Sequence, residues 1–503
     1  MAKPQHPAMV ERVAGCFGGN WMALGPSDTA RFARKIGYGL RPGEDPADIV
    51  EWALAQLSAV PPPVGIARRA GPKIVPWPED QIWDLEKLVI NILAYRAGMD
   101  VLDRKLENNS TEYGIGRYKL QTEHSAVRFD ILRHCHQPLY SAAPVFERFA
   151  NFWRNHFTVG DGNKANDLAE HMVDHAIKAN MLKTFADMLF AVTSHPAMVS
   201  YLDNIYSIGP NSSEGRGKKA GGFQSNINEN LARELLELHT VSPVAGYAQE
   251  DVTETAKVLT GWGYVYELPS EQPKRDKSQA FFPQRHEPGE KVVLGQKIPA
   301  GEAGLRTLTD FLAAKTETID HVSKKLARHF IREEPTDADV AAIADAWKTG
   351  GGDLQTIHRA VVERAASELD ARKFQQPEAW LFQMARTSGA NPFLGFDEVD
   401  EKKMDPYERD AETMLRELGQ FDWASRQPDG FSDAKADWVS PEHMERRVRF
   451  SDLIGRGGAL LLAAPAIADR AAAGPSTRTL MATETSLSAQ FILLWCSPEF
   501  TEA

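Results

Sequence analysis

The sequence predicts a mostly α-helical protein: a large multi-helical domain carrying one small β-hairpin insertion. Three observations predict it. Apolar residues recur at three- and four-residue intervals along most of the 503 residues, as with Leu231, Leu235 and Leu238, which share one helical face. Turns rich in Pro and Gly separate these stretches. Residues 265–300 alone break the habit, where AFFPQRHEPGEKVVLGQKI reads as two short strands around an EPGE turn. No internal repeat and no long heptad run is present.

In order along the chain, Ser27 or Asp28 caps a first helix through Phe32 and Ile36. The turn GYGLRPGEDP leads into a second helix carrying Ile49, Trp52, Ala53 and Leu57, which Pro61 to Pro63 end. A proline-containing linker reaches Pro78, and a long helical pattern follows from Glu79 to Leu106. Residues 118–157 are again helical and close on FANFWRNHFTV, with Phe149, Phe152, Trp153 and Phe157 making an aromatic end. A helical pair spans roughly 164–181 and 182–202, and the Gly-, Ser- and Lys-rich stretch 207–226 reads as a long loop. In the next helix, Asn226 and Glu229 fit a capping box with Asn at N-cap and Glu at N3. Beyond the hairpin at 279–298, helices are expected near 304–315, 317–331, 336–348 and 353–368. The chain is read as one unit, 1–503, divisible into an N-terminal helical segment (1–78), a main core (79–370) and a C-terminal helical segment (371–503).

Composition excludes several classes. A net charge of -12 opposes any general attraction to nucleic acid or anionic membrane. The basic run Arg216, Lys218, Lys219 reads as a solvated loop. Cys16, Cys135 and Cys496 lie far apart, without CxxC spacing, so neither a disulfide framework nor a zinc site is expected. The N-terminus lacks an apolar signal core, and no run of about 18 apolar residues occurs. No membrane insertion and a cytoplasmic location follow as expectations. GPNSSEGRGKKAGG lacks the register of a phosphate-binding loop, and no GxSxG elbow appears.

Several blocks are similar to one family. FARKIGYGLRPGE, FANFWRNHFTV, HPAMVSYLDNIYSIGPNS, NENLARELLELHTV, GYAQEDVTETAKVLTGW, RHEPGEKVVLGQKI, KLARHFI and LLLWCSPEF resemble, in order, the bacterial domain of unknown function 1800 family. The resemblance implies a mostly helical fold and no defined activity. It also implies a sulfatase-like partner of the domain of unknown function 1501 family, encoded nearby. Two departures stand out. Where relatives show an Ile-Arg-Pro-His-like segment, this chain has Ile177, Lys178, Ala179, Asn180, and a neutral amide is a weak transition-metal ligand. Ala248 holds a helix start where relatives carry Thr or Ser, removing a cap worth roughly 1 kcal/mol.

The candidate chemistry is carboxylate, amide and imidazole. Asn155 and His156 end the aromatic helix; His156 is either a ligand or base, or a histidine that favours the helix dipole and bonds a loop carbonyl. Glu234 and Glu237, three apart beside Asn230, suit a divalent cation or divided acid and base roles, while an Arg233–Glu237 ion pair is the plain alternative. Asp203 adds a carboxylate, or merely forms a turn. His171 and His175, four apart, are read as a helix face. His286, Glu287 and Lys291 crowd the hairpin and read as a loop closing over a site.

Two functions are expected from this pattern. The first is metal-assisted or general acid/base hydrolysis of a polar substrate. There His156, Glu234, His286 and Lys291 are catalytic. Asn155, Asn228, Glu229, Asn230, Trp262 and Glu287 bind the substrate, and Asp203, Glu234 and Glu237 hold a divalent metal ion. The second is a non-catalytic binding or assembly role beside the sulfatase-like partner.

Overall fold

The computed structural model describes residues 24–67, 74–75, 83–107, 110–123, 127–160, 165–220, 226–264, 280–393, 411–421, 423, 425, 427–456 and 462–503. Cys16, the N-terminal stretch, much of the 61–78 linker and the first residue of the expected hairpin lie outside these. Helices dominate, and the fold class expected from periodicity is observed. Two antiparallel strand pairs accompany them: Lys291–Val293 with Gln296–Ile298, and Ile66–Ala67 with Ile74–Val75 inside the proline-containing linker. No helix among the described residues is long and apolar enough to cross a membrane.

One contiguous apolar core runs from Phe32 to Phe500. The four helices expected between 304 and 368 are Ala303–Ala314, Thr316–Phe330, Asp337–Thr349 and Leu354–Ser367. Thr336 caps the third and Asp353 the fourth, each side-chain oxygen accepting a first-turn N–H. The chain end is tied back: Lys373 and Ala503 exchange both backbone hydrogen bonds, at 2.8 and 3.0 Å.

Several local expectations are corrected. The first helix, Pro26–Ile36, starts at Gly25 with Pro26 in its first turn, where a missing N–H costs nothing; Asp28 instead pairs with Arg31 at 2.7 Å. The 118–157 stretch is divided among Thr111–Glu123, Val127–Tyr140 and Pro144–His156. The 207–226 loop contains a helix, Ser213–Ala220. Its composition hides it because the supports are tertiary: Ser213 donates to the Gln284 carbonyl at 3.1 Å, and Glu214 stands 3.6 Å from Arg285.

The strands do not flank EPGE. They follow it and turn at Leu294 and Gly295, with φ of 49° and 79°. Positive φ at both central residues is what a type I′ hairpin turn demands. The capping box is replaced as well. The helix begins at Asn230, Asn228 Oδ1 accepts the Asn230 N–H at 2.8 Å, and the Glu229 carboxylate turns away to Thr253 and Gln249, both at 2.7 Å.

Candidate functional site

Four segments meet around one buried cluster. Three are helices, α1 Pro144–His156, α2 Asn230–Glu237 and α3 Thr316–Phe330; a further helix, α4, spans Pro377–Ser388. α1 buries Phe149, Phe152 and Trp153, which leaves His156 enclosed where the helix ends. α2 buries Leu231, Ala232, Leu235 and Leu236, and runs into a turn that buries His239. α3 carries His321, Lys325 and His329 at i, i+4 and i+8, one polar stripe on an amphipathic helix. The fourth segment is the stretch holding Asp429 and Asp433. Asn155 anchors it, donating to the Phe431 carbonyl at 2.9 Å and accepting the Phe431 N–H at 2.8 Å.

The tautomers follow from the acceptors. His156 Nε2 lies 3.3 Å from the His239 carbonyl, which can only accept, so Nε2 carries the proton and Nδ1 is a bare lone pair. His321 is held in the same manner by the neighbouring Leu238 carbonyl, leaving Nε2 bare. Both bare nitrogens are buried without a hydrogen-bond partner among the described residues, and so are both nitrogens of His239. The His156 and His239 rings stand 6.0 Å apart, with Phe157 edge-on to each.

Lys325 is the charge these imidazoles share. Burial, then Lys325, lowers His239 to about 3 and His321 to about 4, and both lower His156 well below its usual range. Lys325 is itself lowered by burial, against the pull of Asp433 and Asp429, although part of the residue remains exposed. Glu234 moves the opposite way, raised by burial first and by Glu237, with Asp429 adding to it. Burial, Glu234 and Asp429 push Tyr201 up to about 12. Asp429 therefore acts on Lys325, Glu234 and Tyr201 alike. It also lines an open cleft of about 500 Å³ with Arg416, Phe421 and Phe431.

Of the residues singled out from sequence, Asn155, His156 and Glu234 belong to this region. Glu237 accepts from the Tyr247 hydroxyl at 3.2 Å, and Arg233 turns from it to Gln249 at 3.1 Å. Asn228, Glu229 and Asn230 organise the start of α2. Asp203 sits in a turn with φ of 60°. Among the described residues, no three His, Cys, Asp or Glu form a group able to hold a metal ion, so Asp203, Glu234 and Glu237 do not fit the expected cation.

The hairpin residues form a separate, internally bonded cluster. His286 Nδ1 donates to the Thr260 carbonyl at 2.8 Å, and its Nε2 accepts from the Gly301 N–H at 2.9 Å and from Lys291 Nζ at 3.1 Å. Lys291 also donates to the Glu287 carbonyl, while the Glu287 carboxylate accepts from Asn211 N–H at 2.9 Å and its amide at 2.5 Å. With both nitrogens of His286 engaged, this cluster ties the 209–213 stretch to the hairpin. Trp262 packs beside it, 5.3 Å from the Phe281 ring. His171 and His175 stack at 4.1 Å on a wide helical turn, and His171 Nδ1 accepts from His195 Nε2 at 3.0 Å. Asn180 donates to the Ala176 carbonyl at 2.8 Å.

Sequence reasoning missed His321, Lys325, Asp429 and the burial of His239 beside His156. The i, i+4, i+8 stripe in IDHVSKKLARHFI was a usable signal for the first two.

A helical scaffold enclosing an imidazole-and-amine cage, without a known catalytic template, defines the class. Comparison with known proteins places it further: the model of the family described as "protein of unknown function (DUF1800)" matches residues 31–501. The chain belongs to that family. No curated protein and no solved structure matches it.

Proposed function

We propose that the Lys325 cage is a hydrolytic site working by general acid/base catalysis on a polar substrate. One observation carries the reading: His156 and His321 give their N–H groups to successive carbonyls and keep buried, unpartnered nitrogens within the electrostatic reach of the Lys325 amine. Such nitrogens call for a donor, and water is the smallest one. In this mechanism His156 Nδ1 and His321 Nε2 orient a water by accepting its O–H groups. The Lys325 amine, whose pKa burial lowers from its ordinary value, takes its proton as attack proceeds. Glu234, whose pKa burial and then Glu237 raise, gives a proton to the leaving group. An amine shifted down and a carboxyl group shifted up suit the roles of base and acid.

A panel of chromogenic esters, phosphate and sulfate esters, glycosides and peptide amides tests this. Turnover of one class should fall at least ~100-fold in Lys325→Met and be unchanged in the exposed control Lys324→Ala. Turnover retained in Lys325→Met, or none by the unaltered protein, would overturn the reading.

A further inference from the structure

A small cavity of about 20 Å³ has walls that include Tyr38, Arg148, Asn151, His329, Glu378 and Ala379. A space of roughly 10–15 Å³ on this measure holds one water when polar groups surround it. Two wall atoms, His329 Nε2 and Arg148 Nε, are buried without a partner among the described residues.

The flanking hydrogen bonds fix the protons on either side. Asp433 Oδ1 accepts from His329 Nδ1 at 2.8 Å, so neutral His329 turns a bare Nε2 to the cavity. Across it, Glu378 Oε1 lies 2.8 Å from His134 Nε2, whose Nδ1 accepts from Arg154 at 3.0 Å. His134 Nε2 is therefore the donor, and His134 is a neutral support for Glu378.

We propose that Glu378 and His329 exchange one proton through a single water held in this cavity. When Glu378 is protonated, its O–H donates to the water and the water to His329 Nε2. In the exchange the carboxyl proton passes to the water as a water proton passes to Nε2. A carboxylate and an imidazolium remain, the latter paired with Asp433. No co-reactant is needed. The path ends at Asp433, which also faces Lys325, a residue on the same helix as His329. It gives the cage a buried proton store, but it stands whether or not the cage hydrolyses anything.

The groups facing the two ends allow such an exchange. Burial pushes Glu378 up to about 7, opposed by Arg154 and Arg148 and aided by Glu170. Burial lowers His329, opposed by Asp433 and aided by Arg148 and Lys373. Burial therefore favours the neutral pair at both ends, while Asp433 draws the proton toward His329.

Infrared spectroscopy of the full chain across pH tests the proposal, following the carbonyl stretch of a protonated carboxylic acid. That band should titrate near neutrality and vanish in Glu378→Gln. A second variant, Ala379→Val, fills the cavity from α4 and leaves both exchanging groups in place. Without the water, protonated Glu378 loses the acceptor of its O–H, and its midpoint should fall by at least one unit, about tenfold in the equilibrium. In the unaltered chain, a nitrogen-15 spectrum of His329 should change at the same midpoint as the carboxyl band. A band that persists in Glu378→Gln, a midpoint unmoved in Ala379→Val, or separate midpoints for the two groups would each overturn the proposal.

Discussion

His239→Leu should make the protein more stable. His239 is 1% exposed, and neither of its ring nitrogens has a partner among the described residues. Leaving a buried polar group unsatisfied costs about 1–3 kcal/mol, and a leucine of similar volume removes two such groups. Allowing for imperfect repacking, the gain at pH 7 is about 1–2 kcal/mol.

The gap between variant and parent then widens in acid. His239 is lowered from 6.5 to about 3, so the unfolded chain binds a proton that the folded chain refuses between those values. Stability therefore rises with pH across that window and falls on acidification. At pH 5 the parent has lost about 2 kcal/mol through this residue, while the variant has nothing there to titrate. Urea unfolding of both proteins at pH 7 and pH 5 reads the two differences directly. A variant less stable than the parent at pH 7, or a gap that stays constant between the two pH values, refutes the reasoning. The first result would mean that the His239 nitrogens are satisfied in the folded protein.

Three further outcomes follow from other positions. Ala248→Thr should add about 1 kcal/mol, because Ala248 starts a helix with no side-chain cap while Asp251 already accepts the Ala248 N–H at 2.9 Å; thermal melting checks it. Arg386→Met should destabilise by about 3–5 kcal/mol, since the fully buried guanidinium donates to the carbonyls of Gly39, Pro138, Leu139 and Ser141 and pairs with Glu44 at 2.8 Å, all of which lose their donor. Asn155→Ala should cost about 2 kcal/mol by removing both bonds to the Phe431 backbone, and hydrogen exchange should speed up locally at residues 427–433.

Much of the fold was legible because local signals and burial agree. The helices between 303 and 367 carry both periodicity and good caps, and they fall where expected. Ser213–Ala220 was not legible, because nothing in SEGRGKKA argues for a helix without Gln284 and Arg285 to hold it. The hairpin was legible in kind but not in register. EPGE is a strong turn signal, yet the pairing turns at Leu294, a residue type that rarely takes positive φ.

The site was legible only in fragments. His156 is conspicuous at an aromatic helix end, but the carbonyl that fixes its tautomer lies 83 residues away. Glu234 was visible beside Glu237, whereas Asp429, which acts on it, comes from a loop with no motif. The hairpin trio His286, Glu287 and Lys291 looked reactive by proximity. In the folded chain their polar atoms bond to one another and to backbone, which sequence spacing does not convey.

The central claim is that His156 and His321 present bare nitrogens beside Lys325, and ring-nitrogen NMR on histidine-labelled protein tests it most directly. At pH 7 the account predicts two neutral rings of opposite tautomer, protonated at Nε2 in His156 and at Nδ1 in His321, with both spectra shifting in Lys325→Met. Imidazolium at either ring, or the reverse tautomer with no response to Lys325→Met, would contradict it.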